Sequence, residues 1–204
     1  MYYCLSFFPP LSVELAESIA SIRRVYDPTA WFIKPHITLI FPTHDSVGEQ
    51  RLINHIEQVL SGWSPFEIRL GGFCKSRDHW LFLSLQEGEA EVKRLYRALH
   101  TGIMDDGRDF SRYVPHLGLG LFLKEGATYD WRHPQESDFD RERYEEALRR
   151  AEALHLSGTV LVDRLLLTTI SDEVIEWTTG KRAGLPDDAK EITVREFHLG
   201  HPGA

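Results

Sequence analysis

Two short segments of the chain carry the same pattern around a histidine. Residues 32–40 read Phe-Ile-Lys-Pro-His-Ile-Thr-Leu-Ile, and residues 112–120 read Arg-Tyr-Val-Pro-His-Leu-Gly-Leu-Gly. His36 and His116 are 80 residues apart, and the order Pro-His-apolar-x-Leu recurs in register. Each segment predicts a strand that begins directly after a proline. The repeat therefore predicts two strands that each present one imidazole.

The residue types on these strands suit acid/base chemistry at phosphorus. Side chains at positions i and i+2 of a strand share a face, so His36 points the same way as Thr38, and His116 the same way as Gly118. With unperturbed pKa values of about 6.5, one imidazole can be neutral while the other is protonated near neutral pH. Across a cleft, such rings could remove a proton from a nucleophile and deliver one to the leaving oxygen. Although a single histidine on a strand is more often structural, its repetition in a matching frame favours catalysis.

The elements around the two strands predict a two-lobed fold. Each Pro-His strand follows a strand and a helix, over residues Tyr2–Arg24 and Trp80–Ile103 respectively. Strands and helices intermix without the regular alternation of a doubly wound sheet, so we predict an α+β fold. In this prediction two similar lobes of antiparallel-rich sheet, with flanking helices, surround a central cleft. Residues 1–204 form one such domain, with an insertion near 124–156.

Two local patterns complete the predicted arrangement of elements. Ser46 and Glu49 have the spacing of a capping box, which predicts that a helix begins at that point. Val174–Thr178 is predicted as a strand between two other C-terminal strands, Leu165–Ile170 and Ile192–Leu199.

Composition narrows the possible partners of the protein. The 204 residues carry a formal net charge of −8, which argues against binding long nucleic acid through counterion release. The two cysteines cannot form a disulfide framework, and no apolar run approaches the length of a membrane span. The sequence contains neither a His-Glu-x-x-His motif nor a glycine-rich triphosphate loop. We therefore expect a cytoplasmic protein without a membrane partner or a metal.

The two motifs resemble those of the 2H phosphoesterase superfamily, in particular its 2′-5′ RNA ligase-like, 2′,3′-cyclic phosphodiesterase branch. That family carries two His-x-Thr/Ser motifs about eighty residues apart. Residues 35–41, Pro-His-Ile-Thr-Leu-Ile-Phe, resemble a full first motif, and residues 115–119, Pro-His-Leu-Gly-Leu, resemble the second. The opening strand, the hairpin predicted over Phe66–Leu85 and the terminal strands also fit, whereas residues 124–156 fit least well.

The resemblance implies a phosphoric diester hydrolase that needs no cofactor and opens 2′,3′-cyclic phosphates of small nucleotides or RNA 3′ ends. It implies that His36 and His116 form the acid/base pair and that Thr38 donates to a phosphate oxygen. We also expect the protein to act as a monomer.

Gly118 departs from the family pattern, because a threonine or serine hydroxyl is expected there. The glycine predicts a weakened or retuned enzyme. Alternatively, the backbone at Gly118 and Gly120 approaches the ligand closely or leaves room for a bulkier one, or the glycine allows tight packing between the lobes. The alternative is a nucleotide or RNA-end binding protein that has lost catalysis. Three residues near the histidines are further candidates for contact with a phosphate or a base, namely Lys34, Arg112 and Tyr113. Tyr113 lies just before its strand, where exposure to a ligand is expected.

Overall fold

Eight strands and five helices make up the computed structural model, which describes residues 1–200. The strands are β1 (Tyr2–Phe7), β2 (Ile37–His44), β3 (Phe66–Lys75), β4 (Trp80–Glu87), β5 (His116–Leu121), β6 (Gly158–Val162), β7 (Arg164–Ile170) and β8 (Ile192–His198). The helices are α1 (Val13–Tyr26), α2 (Glu49–Leu60), α3 (Glu89–Leu99), α4 (Arg141–Ala153) and α5 (Asp172–Thr178).

The strands form two separate antiparallel sheets. The first sheet has the order β2-β1-β7-β8, and the second has the order β5-β4-β3-β6. The predicted repeat is confirmed, because β1-α1-β2 in the first lobe corresponds to β4-α3-β5 in the second. In both lobes the Pro-His strand lies at the edge of its sheet and pairs with the strand that precedes the helix. The predicted α+β fold with two lobes is confirmed as well.

Alternation along the two edge strands separates core residues from site residues. Ile37 and Leu39 of β2 and Leu117 and Leu119 of β5 are buried in one continuous core that includes residues from both sheets. The side chains between them point to the opposite face of each sheet, as the period of two requires. His36 stands directly before β2 and His116 opens β5, and both are only half-buried.

Helix α1 packs tightly against the edge strand of the other lobe. A Cβ atom at Gly120 of β5 would lie 2.6 Å from Cβ of Tyr26 and 2.9 Å from Cζ of Phe122. The rings of Tyr26 and Phe122 lie 5.6 Å apart. Because no side chain fits between the strand and the helix, glycine at position 120 permits this contact between the lobes.

Two local predictions were wrong. Residues 172–178 form a helix and not a strand, because Ser171 precedes two acidic residues in the first turn and the apolar Val174, Ile175 and Trp177 are buried together. The helix predicted from the Ser46 capping box begins later, at Glu49. Asp45–Val47 forms a separate 3₁₀ turn, in which the backbone N–H of Ser46 donates to Nδ1 of His44.

Two connections from opposite lobes meet beside the second sheet. The backbone N–H of Trp131, in the segment after β5, donates to the carbonyl of Thr178 at 3.2 Å. Tyr129 packs against Trp177 of α5 with ring centroids 5.2 Å apart. The segment predicted as an insertion thus contains irregular structure that bridges the lobes, followed by α4. Among the helices within residues 1–200, none is long and apolar enough to cross a bilayer.

Candidate active site

The loop before β2 holds the first imidazole by one of its two nitrogens. Nδ1 of His36 lies 2.9 Å from the carbonyl oxygen of Lys34. Because a carbonyl oxygen can only accept a hydrogen bond, Nδ1 carries the proton in this contact. Nε2 is then the nitrogen that remains for proton exchange. The ring of Phe8 lies beside the imidazole, with centroids 5.5 Å apart.

The second imidazole is held in the same way. Nδ1 of His116 lies 2.6 Å from the carbonyl oxygen of Val114, again two residues before the histidine. Phe82 of β4 stacks on the imidazole, with centroids 3.4 Å apart and planes inclined by 15°. The two motifs therefore share the same histidine tautomer as well as the same sequence pattern. Each ring donates a hydrogen bond through Nδ1, which leaves Nε2 available for proton transfer. This arrangement differs from a structural pair of histidines bonded to each other.

A buried ion pair orders the loop that carries His36. Arg23 and Asp27, near the end of α1, form a salt bridge with Nη2 and Oδ2 2.7 Å apart, and both side chains are at most 5% exposed. Nη2 of Arg23 also donates to the carbonyl of Ile33 at 2.9 Å, and Oδ1 of Asp27 accepts from the backbone N–H of Thr29 at 2.7 Å. These bonds fix both ends of the loop. This pair was not predicted from the sequence, although a spacing of four residues along a predicted helix is a usable signal.

Burial lowers the pKa of both imidazoles, because removal from water disfavours the charged form. The pKa of His116 falls to about 4; its hydrogen bond to Val114 and the charge of Asp78 raise it, whereas a charge on His36 lowers it further. The two rings are therefore close enough to influence each other's protonation. For His36, the hydrogen bond to Lys34 and the nearby Glu191 oppose the lowering of the pKa.

Thr38 and Gly118 occupy equivalent positions next to the imidazoles. Thr38 is half-buried on β2, opposite Ser6 of β1. At Gly118, a Cβ atom would lie 3.5 Å from Cε3 and Cζ3 of Trp80, which is ordinary van der Waals contact. The backbone at position 118 can therefore carry a Cβ atom without a clash, and the six-membered ring of Trp80 faces the space beside the glycine.

The polar atom of Trp80 is already engaged within the second lobe. Its indole N–H donates to the hydroxyl of Tyr129 at 2.9 Å, and that hydroxyl donates to Oδ2 of Asp78 at 2.7 Å. Burial, followed by the charge of Asp78, raises the pKa of Tyr129. Trp80 consequently offers an apolar surface beside Gly118 and no substitute for the missing hydroxyl. The hydroxyl of Thr168 does not replace it either, because Thr168 lies in the first sheet and donates to Glu191 at 2.8 Å.

The three other predicted contact residues lie in different environments. Lys34 is exposed, and its carbonyl holds His36. The Arg112 side chain is 83% exposed and pairs with Asp109 at 3.3 Å. The expected exposure of Tyr113 was wrong: this residue is 6% exposed because its ring is enclosed between the lobes. Its ring and hydroxyl both have partners inside the protein, so it cannot stack on a base.

Within residues 1–200, no three side chains from His, Cys, Asp and Glu come together as a set of metal ligands. The two cysteines, Cys4 and Cys74, are free thiols. Neither belongs to the motif strands.

The structure repeats a strand-helix-strand unit and places one histidine, anchored through Nδ1, at the edge of each sheet. This fold and this site agree with the class of two-histidine proteins that the sequence motifs resemble. The family model described as the 2′-5′ RNA ligase superfamily matches residues 9–167, which is most of the chain. The protein therefore belongs to this superfamily, the 2H phosphoesterases, and the resemblance seen in the two motifs is confirmed.

Individual relatives are distant in sequence. A protein of Geobacillus thermodenitrificans named "Putative phosphoesterase" is 26% identical over 132 residues, which cover 63% of this chain and 73% of that protein. Escherichia coli LigT complexed with 3′-AMP has a TM-score of 0.58 at 15% identity, with 98% of both chains covered. The protein TT0787 of Thermus thermophilus has a TM-score of 0.58 at 16% identity, again over 98% of both chains. These two structures share the fold.

Proposed function

We propose that the protein hydrolyses 2′,3′-cyclic phosphates of small nucleotides or RNA 3′ ends without a metal ion. The observation that carries the proposal is the matched anchoring of His36 and His116, which presents one Nε2 from each lobe. Membership of the 2H phosphoesterases, the phosphoesterase name of the Geobacillus relative and the 3′-AMP complex of LigT support a phosphoester of a nucleotide as the substrate. We also propose that the protein acts as a cytoplasmic monomer.

In this reaction the two imidazoles exchange roles as base and acid. The neutral ring accepts a proton from water through Nε2 while the water oxygen bonds to phosphorus. The other ring, protonated, gives its Nε2 proton to the departing ribose oxygen as the P–O bond of the ring breaks. The product is a phosphate monoester, and the proton passes from one imidazole to the other through solvent. Thr38 donates its hydroxyl to a non-bridging oxygen.

The lowered pKa values agree with a site that acts on an anion. In the free protein near neutral pH both rings are neutral, so neither requires a permanent counter-ion. A bound phosphodiester brings a negative charge between them, which raises the pKa of the nearer ring and favours its protonation. Binding of the substrate thus creates the acid that the reaction needs.

Replacement of either imidazole tests the proposal. We expect His36→Ala and His116→Ala each to lower kcat for 2′,3′-cyclic AMP by at least about 10²-fold, the lower range for loss of an acid or base. His55→Ala is the matched control, because His55 is also half-buried and bonded through one nitrogen to a carbonyl, that of Leu99 at 2.9 Å. Full turnover in either site variant, or a rate that EDTA abolishes, would contradict the assignment.

Gly118 favours a second candidate, a protein that binds nucleotides without turning them over. The family hydroxyl is absent there, and an apolar ring borders the space. Titration of the wild-type protein with 2′,3′-cyclic AMP, followed by product analysis, separates the candidates. Saturable binding with no product after prolonged incubation favours the binding protein.

A further inference from the structure

The spacing of the two imidazoles depends on contacts other than sheet pairing. Strand β2 pairs only with β1, and β5 pairs only with β4, among the strands of residues 1–200. His36 and His116 therefore stand on the edges of two different sheets. Side-chain contacts between the lobes must hold these edges at a fixed distance.

Tyr113 makes such a contact next to both motifs. Its hydroxyl donates to the backbone carbonyl of Thr38 at 2.8 Å. Tyr113 precedes His116 by three residues, and Thr38 follows His36 by two. The bond thus joins the approach to the second motif directly to the strand of the first motif.

The Tyr113 ring is itself held in place. It stacks face to face on Tyr96 of α3, with centroids 3.7 Å apart and planes inclined by 8°. The Tyr96 hydroxyl accepts a hydrogen bond from Nη1 of Arg108 at 3.0 Å, and Arg108 pairs with Asp106 at 2.6 Å. The Tyr113 ring is covered on one face and hydrogen-bonded through its hydroxyl. It therefore restricts movement of one lobe relative to the other.

We infer that Tyr113 is a positioning residue that sets the distance between the His36 and His116 imidazoles through its hydrogen bond to β2. The part of this inference that concerns turnover rests on the proposed function. In-line attack requires both Nε2 atoms at one phosphorus, and a displacement of about 1 Å in such a site can cost about 10²-fold in rate. Tyr113 does not touch the reacting atoms.

Tyr113→Phe removes the hydroxyl and keeps the ring on Tyr96. We expect kcat for 2′,3′-cyclic AMP to fall about 10-fold while KM changes less than about twofold, because the contacts of the bound nucleotide remain. Tyr3→Phe is the matched control: Tyr3 is also 6% exposed, and its hydroxyl donates to Glu49 at 2.9 Å, outside the motifs. A purely structural role of Tyr113 predicts similar losses of melting temperature and similar kcat in both variants.

A readout that needs no substrate separates this inference from the proposed function. The pKa of His116, followed by NMR, should rise when His36→Asn removes the neighbouring charge. This rise should shrink in a Tyr113→Phe background and persist in a Tyr3→Phe background. A rise of equal size in all three backgrounds overturns the positioning role, whatever the activity. A smaller rise in a protein without turnover refutes the proposed function and keeps the positioning role.

Discussion

At the scale of single residues, Gly118 distinguishes this chain from its family pattern. The two lobes present equivalent imidazoles, but only Thr38 adds a hydroxyl beside one of them. Trp80 borders the empty position without filling it, since a Cβ atom at Gly118 would make only ordinary contact with its ring. The second lobe therefore lacks a side-chain hydroxyl at this position, although a Cβ atom could be placed there without a clash.

Gly118→Thr should increase activity. A hydrogen bond to a charged group contributes about 1.5–3 kcal/mol, which corresponds to about one to two orders of magnitude in kcat/KM. Gly118→Val is the matched control, because valine has nearly the shape of threonine and no hydroxyl. Steady-state kinetics on 2′,3′-cyclic AMP measure the effect. An equal change in both variants would mean that shape, and not the hydroxyl, determines the rate.

At the scale of elements, helix α1 connects the first motif to the second lobe. Arg23 and Asp27 at its end order the loop before His36, and Tyr26 packs against β5 at Gly120. One helix therefore positions the imidazole of its own lobe and contacts the edge strand that carries the other.

Gly120→Ala should destabilise the protein, because the added methyl group would lie 2.6 Å from Tyr26 and 3.1 Å from its carbonyl oxygen. Overpacking of this kind costs about 1–3 kcal/mol in the free energy of unfolding. Gly118→Ala on the same strand is the control: its methyl group has room, and the loss of glycine flexibility in the unfolded chain predicts a gain of about 0.4–1 kcal/mol. Urea unfolding of both variants checks the prediction. Equal stability of the two variants would show that α1 shifts to accommodate the methyl group with little loss of stability.

The repeated elements were predictable from the sequence, and the contacts between them were not. The Pro-His pattern and the alternation of apolar residues predicted β2, β5 and the faces of their histidines, because both signals are local. Val174–Thr178 was mistaken for a strand because the helix that contains it has only seven residues and shows hardly two turns of periodicity. The predicted exposure of Tyr113 failed for a different reason: its partners, Tyr96 and Thr38, are distant in the sequence.

The residues that surround the His36 and His116 imidazoles could not be predicted from the sequence either. Phe82 stacks on His116 from a neighbouring strand, and Glu191 acts on His36 from the C-terminal part of the chain. The sequence predicted two imidazoles with ordinary pKa values. Their lowering depends on burial in the folded protein, which only the packing of the two lobes creates.

At the scale of the whole molecule, three imidazoles whose pKa is lowered by the fold couple folding to pH. Burial lowers the pKa of His36, His100 and His116 in the folded protein, whereas in the unfolded chain a histidine has a pKa of about 6.5. Between pH 6.5 and about 4, the unfolded chain therefore binds protons that the folded protein does not. The free energy of unfolding must fall as the pH falls through this range, and above it these groups contribute no slope.

His116→Asn isolates one part of this dependence. The variant cannot bind the proton, so its free energy of unfolding should fall less steeply than that of the wild type between about pH 6.5 and 4.5, and the two slopes should agree above pH 7. Carboxyl groups whose pKa lies below its usual range, such as Asp106 beside Arg108, act at lower pH and do not obscure the window. Urea titrations at several pH values give the slopes, with His133→Asn as the exposed control. Parallel slopes for wild type and His116→Asn would mean that His116 keeps an ordinary pKa in the folded protein, so that burial does not disfavour its charged form.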